Sequence, residues 1–441
     1  GDNVEEVEKI ITAVRVRPVS DSEHASNCQV VMVPDPKEPG MCIIDPVFFS
    51  AANKDSSNRK AYEREFRCDY FFWSANKLHD VEFATQQKVF ESCAKPLVGH
   101  CIAGFNCAIL AYGQTGSGKT HTMMGYQSNE EGAGVIPRLC KSLIEDVTTL
   151  MTDKQHKISI EVSYYEIYNE KVHDLMSTSP EIPCRVREHP DSGAYVEGLT
   201  RVEVKTYTDV SVVLRKGDKH RAVAATLLNS TSSRSHAVFT VHLNQTLFDA
   251  SDDGNVPTTS AASGVQRQSK VCLVDLAGSE RASASGVSGD RLTEANNINK
   301  SLSTLGDVIQ ALSKVGSHLH SVPRQNSGGS HFHVPYRNSV LTWLLKDSIG
   351  GNSKTVMLAT VSPTDHAFNE SISTLRYVER AKLISTHATV NDTTSDAHTI
   401  TMLQKQVASL QKQLSDKEQN GGETSDDTNK LEEQLLNKQQ I

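Results

Sequence analysis

The hydrophobic residues of this chain follow two periodicities, one typical of buried strands and one typical of amphipathic helices. Alternating or continuous apolar runs predict strands at residues 9–17, 107–112, 158–168, 237–243, 270–276 and 354–361. Apolar residues at helical spacing predict helices over 291–314, 338–346 and 369–384. Strands that alternate with helices indicate an α/β protein of three layers, in which a mostly parallel or mixed central sheet carries helices on both faces.

Two segments do not fit this α/β pattern. Residues 249–269 form a polar, low-complexity insertion that is expected on the surface. Past residue 390, apolar residues at 3-4 spacing predict a coiled coil over 400–418, followed by a polar tail over 419–441. The seam lasts only about two heptads, so a lone amphipathic helix packed on its own protein is the alternative.

Composition and charge exclude several classes of protein. Of the 441 residues 37% are hydrophobic, without an apolar run that could span a bilayer, so direct membrane insertion is not expected. Residues 1–6 lack the apolar region of a signal peptide, and nine cysteines form no CxxC pair, which favours reduced thiols in the cytoplasm. A net charge of −8 argues against nucleic-acid binding, so an acidic partner would need a local basic patch.

A glycine-rich segment follows the predicted strand at 107–112. GQTGSGKT, residues 113–120, fits the phosphate-binding pattern G-x-x-x-x-G-K-S/T. Glycines allow backbone N–H groups to surround phosphate oxygens, and the positive end of the following helix points at them. Lys119 would neutralise charge on the β- and γ-phosphates, and Thr120 would offer its hydroxyl to Mg²⁺.

Two further loops have the composition that a nucleotide site requires. In VDLAGSE, residues 274–280, Asp275 ends an apolar strand, where a Walker-B aspartate would hold Mg²⁺ through water. Gly278 can turn its N–H toward a γ-phosphate because it has no Cβ. NSTSSRSH, residues 229–236, leads straight into a strand, which favours a shaped loop over a flexible linker. Such a loop would close over the γ-phosphate, and Arg234 would pair with a carboxylate on closure.

In order and spacing, these three motifs resemble the P-loop (113–120), switch I (229–236) and switch II (275–280) of a kinesin motor domain. The likeness runs from AVRVRP at 13–18 through STLRYVERAK at 373–382, so a motor domain is expected over 1–384. It implies a P-loop NTPase of kinesin type, with ATP and Mg²⁺ as cofactors and microtubule-stimulated ATP hydrolysis.

Two longer segments resemble one class of kinesins. VREHPDSGAYVEGL (186–199) and VPYRNSVLTWLLKDSIGGNSKT (334–355) are similar to the kinesin-3 family of transport motors. That resemblance implies an N-terminal motor that carries cargo along microtubules.

The resemblance assigns the nucleotide-binding residues. They would come from the first strand and the P-loop: Arg15, Arg17, Pro18, Gly113, Gln114, Thr115, Gly116, Ser117, Gly118, Lys119, Thr120 and His121. Arg15, Arg17 and Pro18 would flank the adenine, and His121 would stack on its other side.

It also assigns the residues around the γ-phosphate. Ser233 would be the second Mg²⁺ contact beside Thr120, with Asp275 acting through water. Ser232 would contact the γ-phosphate or the attacking water. Arg234 would pair with Glu280 when ATP closes the pocket, and Glu280 would relay a proton through water.

The microtubule, whose surface is acidic, is the expected partner. Residues 300–354 hold six basic and two acidic residues, a local charge of +4, although a patch this mild is usually a solvated surface. By resemblance, this region forms the polymer-binding face on the switch II helices, with contacts from Lys300, Lys314, Arg337 and Lys346.

The loop at 316–333 departs from the kinesin-3 pattern. It holds four histidines and no lysine, where that family carries a run of lysines. Asp307 and Ser288 also stand where a basic or neutral residue would face the track. We expect weaker, salt-sensitive binding near neutral pH, with recovery as the histidines protonate below about pH 6.5. The alternative is that the His-x-His pairs bind a metal.

Residues 385–392, STHATVND, align with the kinesin neck linker. Ile384 precedes the linker, Asn391 matches the residue that latches its docked form, and residues 4–10 would supply the strand that pairs with it. By resemblance, ATP closes the switch loops, the relay helix at 291–315 shifts and the linker docks, which gives plus-end-directed transport.

The remaining expectations concern partners and location. Cargo or an adaptor would bind a C-terminal region beyond this chain, and the coiled coil would support a homodimer. A cytoplasmic protein on microtubules is expected, in projections such as an axon or cilium. The alternatives are a non-translocating microtubule binder or depolymeriser and a kinase-like phosphotransferase, which lacks a visible catalytic-loop Asp motif.

Overall fold

The computed structural model describes residues 6–35, 41–44, 64–75, 82–126, 129–152, 156–189, 193–227, 233–248, 264–280, 290–318 and 333–394. Several predicted features lie outside these residues. They are Ser232, most of the histidine-containing loop, residues 249–263, the coiled coil at 400–418 and the tail at 419–441.

The strands in chain order are β1 (Glu6–Lys9), β2 (Ile11–Val16), β3 (Met32–Pro34), β4 (Met41–Ile44), β5 (Arg64–Arg67), β6 (Tyr70–Trp73), β7 (Cys107–Tyr112), β8 (His156–Tyr168), β9 (Lys171–Asp174), β10 (Pro183–Cys184), β11 (Val186–His189), β12 (Gly193–Val196), β13 (Val202–Val204), β14 (His236–Phe248), β15 (Gly264–Asp275), β16 (Lys354–Val361), β17 (Ser385–Ala388) and β18 (Asp392–Thr394).

The helices are α1 (Asp21–Ala25), α2 (Gln86–Val89), α3 (Lys95–Ile102), α4 (Lys119–Met123), α5 (Val135–Leu150), α6 (Tyr207–Leu227), α7 (Asp290–His318), α8 (Val340–Leu344) and α9 (Phe368–Ala381). A π-helical segment, Phe90–Ala94, joins α2 to α3, and 3₁₀ turns occupy Tyr336–Asn338 and Asp365–Ala367.

The central sheet is mixed, as predicted. Its strand order is β10-β9-β8-β14-β15-β7-β16-β2-β6, with β13 on β8. The five strands from β15 to β6 pair in parallel, whereas β8, β9 and β10 pair antiparallel. Because the carboxyl ends of parallel strands meet at one edge, the loops after β7 and β15 lie side by side.

The core explains why the apolar runs predicted the central strands. Every residue of β7 and β16 is buried, and both strands match their predicted ranges, as expected of strands that helices cover on both faces. Over one face, residues of α7, α8 and α9 form a cluster with strand residues such as Leu110, Val274 and Met357. The three-layer prediction is therefore confirmed.

Several predicted bounds were wrong. The strand predicted at 9–17 is broken at Ile10, because β1 and β2 pair with different partners. Residues 264–269, predicted as part of a surface insertion, begin β15, where buried Ser269 donates to the Cys101 carbonyl at 2.6 Å. The last helix ends at Ala381 rather than at residue 384, and Ile384 is buried beyond it.

Two compact units are distinguished. The larger comprises Gly1–Thr148, Ser159–Leu243 and Ser269–Asn391, and it contains all the described residues of the candidate site. The smaller comprises Thr149–Ile158, Asn244–Gln268 and Asp392–Ile441. Within the smaller unit, β18 pairs antiparallel with β15, and Arg267 donates two hydrogen bonds to Asp392, at 2.6 and 3.0 Å.

Candidate active site

The loop after β7 has the backbone that its glycines predicted. Gly116 and Gly118 have φ values of +75° and +101°, a conformation that L side chains rarely adopt. Ser117 fixes the loop, because its hydroxyl donates to the Gln114 carbonyl and is bonded to the Thr360 hydroxyl, both at 2.7 Å. The loop is thus held to the end of β16, and α4 begins directly after Gly118.

Lys119 places a cation inside this loop. Its side chain is buried, and Nζ donates to the carbonyls of Gly113 and Gln114 at 2.8 and 2.9 Å. Burial lowers the pKa of Lys119, and the nearby carboxylates of Asp275 and Glu280 oppose that shift. The lysine is therefore positioned to compensate anionic phosphate oxygens at the loop.

Asp275 and Thr120, the two predicted Mg²⁺ ligands, are in direct contact. The Thr120 hydroxyl donates to Asp275 Oδ2 at 2.5 Å, and Asp275 is 5% exposed. Burial raises the pKa of Asp275, and its Oδ1 has no hydrogen-bond partner in the described part of the chain. A buried carboxylate oxygen without a donor, beside a hydroxyl, is a set of hard oxygen ligands that fits Mg²⁺.

Switch II contacts both other loops of the site. Gly278 N–H donates to the Ser233 carbonyl of switch I at 2.8 Å. To bind a γ-phosphate, this N–H would have to leave the Ser233 carbonyl, so its contact with the γ-phosphate stays a prediction. A Cβ on Gly278 would lie 2.2 Å from Thr115 Oγ1 and 2.4 Å from Glu280 Oε2, so a larger residue there would displace these two side chains. Glu280 accepts from the Thr115 N–H at 2.7 Å and from the Thr115 hydroxyl. Arg234 is exposed, and its pairing with Glu280 stays a prediction.

His236 joins both switch loops to the long helix α7. It is 2% exposed, its Nδ1 accepts from the Ala277 N–H at 3.0 Å, and its Nε2 lies 2.8 Å from the Ser301 hydroxyl. Burial and the Lys119 charge lower the pKa of His236 to about 3. The ring is therefore neutral at physiological pH, with Nε2–H donating to Ser301. His236 ends the NSTSSRSH motif, but the sequence alone assigned it no role.

A cavity of about 840 Å³ lies beside the P-loop. Six of the predicted nucleotide-binding residues line it, namely Arg15, Arg17, Pro18, Ser117, Gly118 and His121. Phe83, Gln86 and Arg138 also line it and were missed by the sequence reasoning. The cavity thus brings the first strand and the P-loop together, as the adenine assignment requires.

The two arginines of this cavity are fixed by residues that no motif marked. Buried Arg15 donates to Ser74, Gln86 and Thr122 at 3.2, 2.6 and 3.0 Å, and burial lowers its pKa to about 10. Arg17 donates to the Gly116 carbonyl at 2.6 Å and bidentately to Glu23 at 2.7 and 2.8 Å. Both side chains therefore act as walls whose positions are set by the framework.

His121 lines the same cavity. Its ring meets Tyr126 edge to face, with centroids 5.1 Å apart. Partial burial and the charge of Arg15 lower the pKa of His121. A neutral imidazole is the form suited to stacking on a base, and that role stays a prediction.

The predicted polymer-binding residues lie on or beside α7 and α8. Lys300 and Lys314 are exposed on α7, Arg337 on the 3₁₀ turn, and Lys346 just after α8. Two of them form ion pairs within the molecule, Lys300 with Glu170 at 3.6 Å and Arg337 with Glu188.

The predicted linker segment forms a strand. β17 pairs antiparallel with β1 from Glu6↔Ala388 to Lys9↔Ser385, which confirms the pairing expected of the N-terminal segment. Asn391 donates from its backbone N–H and from its side-chain amide to the Gly104 carbonyl, both at 3.0 Å, and Asn352 donates to the Asn391 side chain at 2.9 Å. These bonds hold Asn391 to the Gly104 and Asn352 loops, and its role as a latch stays a prediction.

The described part of the chain has neither a membrane-spanning helix nor a cluster of metal-ligating side chains. No helix there is both long and apolar enough to cross a bilayer. No group of three or more His, Cys, Asp or Glu side chains there could hold a metal ion, whereas most of the His-x-His loop falls outside those residues.

Comparison with known proteins agrees with this geometry. The kinesin motor domain model matches residues 15–384. Kinesin-like protein KIF1B of Homo sapiens is 43% identical over 380 residues, 86% of this chain and 20% of that protein. Kinesin-like protein unc-104 of Caenorhabditis elegans is 43% identical over 405 residues, 92% of this chain and 24% of that protein. The chain thus spans about a fifth to a quarter of these relatives' length.

Solved structures give the same answer for the fold. A KIF14 dimer in a two-heads-bound state, with AMP-PNP and in complex with a microtubule, has a TM-score of 0.72 and 40% identity, over 88% of this chain and 97% of the other. A fast kinesin has a TM-score of 0.70 and 34% identity, over 88% and 95%. KIF1B and unc-104 are kinesin-3 family members, the class that the motifs indicated. With its P-loop, switch loops and linker strand in one unit, the chain belongs to the kinesin motor-domain family.

Proposed function

We propose that this chain is the head of an ATP-hydrolysing microtubule motor. One observation carries the proposal: His236 hydrogen-bonds to switch II at Ala277 and to α7 at Ser301. Since switch I also accepts from switch II at Ser233, the two loops and the helix form one connected path. A change at the phosphate end of the site would therefore move the helix that carries Lys300.

The residues present support ATP with Mg²⁺ as the ligand of this site. When bound, Mg²⁺ neutralises charge on the β- and γ-phosphate oxygens. Lys119 supplies the fixed cation of the loop, and Thr120 and Asp275 supply hard oxygen ligands at 2.5 Å from each other. Glu280 accepts a hydrogen bond from Thr115 of the P-loop. On closure, Glu280 would leave Thr115 and pair with Arg234, and it would then relay a proton through water.

The linker supports coupling to movement. Its strand β17 is paired with β1, and Asn391 is bonded to Gly104, which is the docked arrangement that the family resemblance implies. A linker that leaves the head after its last helix implies plus-end-directed transport. The linker would have two states, one with β17 paired to β1 and one with β17 released from β1.

The partner is the microtubule, which the KIF14 structure contains. The surface residues proposed to meet it are Lys300, Lys314, Arg337 and Lys346. The protein would work in the cytoplasm on microtubules, including those of an axon or cilium. Cargo would bind regions of a longer protein, and residues 400–418 would support a homodimer.

The test is ATP turnover at low salt, with and without polymerised microtubules. We expect stimulation of about tenfold or more, a barrier change of about 1.4 kcal/mol or more, lost in Glu280→Ala. Glu161→Ala, which removes a partly exposed carboxylate paired with Arg201, is the matched control and should keep the stimulation.

Other outcomes separate the alternatives. ATP binding without stimulation would contradict the motor proposal and favour a non-translocating microtubule binder, which a depolymerisation assay would then examine. Phosphate transfer to a protein acceptor would favour the phosphotransferase. A gliding assay on oriented microtubules measures direction.

A further inference from the structure

We propose that Glu170 and Glu188 are internal competitors of the microtubule for Lys300 and Arg337. In the free head, each carboxylate would hold a cation that the acidic polymer surface also needs. The inference rests on the proposed microtubule function and adds to it a control of affinity built into two β-hairpins.

The first pair joins helix α7 to the turn between β8 and β9. Lys300 Nζ lies 3.6 Å from Glu170 Oε2. The lysine side chain is 52% exposed and the glutamate side chain only 17% exposed. The carboxylate thus lies on the protein side of the cation, and the other side of the ammonium group faces solvent, where a second carboxylate can approach.

The turn holds Glu170 in this place at a conformational cost. Asn169 and Glu170 have φ values of +53° and +59°, which residues other than glycine seldom adopt. Such backbone persists where surrounding contacts determine it. Asn169 accepts from Asn297 of α7 at 2.5 Å, and Glu170 accepts from the Val340 N–H at the start of α8 at 3.1 Å. The fold therefore presents the carboxylate to α7 and α8 together.

The second pair has the same arrangement on a separate hairpin. Arg337 forms an ion pair with Glu188 of β11, which pairs with β12. The arginine side chain is 71% exposed and the glutamate side chain 29% exposed. The guanidinium also lies 6.0 Å from the centroid of the Trp343 ring. Again the carboxylate is on the inner side and the cation is open on its outer side.

Competition follows from the electrostatics of exposed pairs. In each pair the carboxylate is largely buried, but the cation is more than half exposed, so solvent screens the attraction and a polymer carboxylate can replace the internal one. Each replacement must nevertheless break an existing pair. Removing the internal charge without changing the shape of the side chain should therefore tighten microtubule binding, by about two- to fivefold for each pair.

The experiment measures microtubule co-sedimentation of the whole chain at low salt with ADP, for the wild type, Glu170→Gln and Glu188→Gln. Glutamine keeps an acceptor for the Val340 N–H and removes only the charge. Glu161→Gln is the matched control, because it changes the net charge equally and releases Arg201, a residue outside the polymer-facing set. A double-mutant cycle of Glu170→Gln with Lys300→Ala measures the coupling directly.

We expect about two- to fivefold tighter binding for each test variant over Glu161→Gln, and no gain from Glu170→Gln once Lys300 is alanine. Equal tightening by all three variants would show a general field effect and overturn the inference. Weaker binding by Glu170→Gln would also overturn it, since the turn would then be a contact rather than a competitor. If the wild type does not sediment with microtubules in any nucleotide state, the proposed function itself falls, whereas binding by the wild type with unchanged variants refutes only the competition.

Discussion

A buried lysine joins the start of β16 to the strand that pairs with the linker. Lys354 is 5% exposed, its Nζ forms an ion pair with Glu8 of β1, and it lies 4.7 Å from the centroid of the Phe105 ring. Glu8 is 34% exposed. Because β1 pairs with β17 and Lys354 belongs to the central sheet, this pair fastens β1, and through it the proposed linker strand β17, to the core. We therefore predict that Glu8→Gln favours release of the linker.

The burial of the two partners sets the size of the effect. Breaking a fully buried pair costs about 3–5 kcal/mol, whereas an exposed pair is worth about 1 kcal/mol or less. This pair lies between the two limits, and glutamine and the Phe105 ring still contact the ammonium group, so the expected loss is about 1–2 kcal/mol. Since 1.4 kcal/mol is a factor of ten, the docking equilibrium should fall by about five- to thirtyfold.

Hydrogen exchange of the peptide covering residues 385–391 measures this equilibrium, because docked strand amides exchange through opening. Exchange in Glu8→Gln should be faster by the same factor, while the peptide covering β7 is unchanged. Glu6→Gln is the control, since it lies on the same strand and changes the same charge. Equal exchange in the two variants would refute the role of the Lys354 pair.

Three further predictions concern the nucleotide site. Burial raises the pKa of Glu23, but hydrogen bonds from Arg17 and Ser20 outweigh burial and hold the pKa well below its usual range. The ionised Glu23 therefore stabilises the fold fully above about pH 4.5, and this stabilisation is lost as the pH falls. In urea unfolding, the difference in the free energy of unfolding between the wild type and Glu23→Gln should shrink on acidification. Burial raises the pKa of Asp275, so Asp275→Asn should raise the Tm of the nucleotide-free chain while abolishing Mg²⁺-dependent turnover; an unchanged or lower Tm would contradict this. His236→Ala should keep ATP binding but lose about tenfold in microtubule-stimulated turnover, and adding Ser301→Ala should cost little more; additive losses would argue against the path to α7.

The sequence predicted those features whose cause is local. Continuous apolar runs marked β7 and β16, since strands buried on both faces need apolar side chains at every position. The P-loop glycines were identifiable because the required backbone conformation strongly favours glycine at Gly116 and Gly118. Such signals need no knowledge of the rest of the fold.

The missed residues act through partners distant in the chain. Gln86 fixes Arg15 across 71 positions, and no pattern around a single glutamine indicates that contact. The break at Ile10 was missed for the same reason: one apolar run continues through β1 and β2, although β1 pairs with β17 near the far end of the motor. Hydrophobicity predicts that a segment is a strand, but it does not specify the partner.

His236 and the histidines of the loop at 316–333 are predicted to differ in their response to pH. His236 lies in the path from the switch loops to α7, and its pKa of about 3 keeps it neutral between pH 6 and 7.5. The histidines of the loop at 316–333 were predicted to gain charge below about pH 6.5 and to strengthen microtubule binding. Turnover at saturating microtubules should therefore stay constant over this range, while the microtubule concentration for half-maximal turnover falls as the pH is lowered. Replacing the four loop histidines by glutamine should remove the second effect and leave the first unchanged. A change in saturated turnover that survives this replacement would locate the titrating group in the coupling path instead, and a pH-independent affinity would refute the role of the loop.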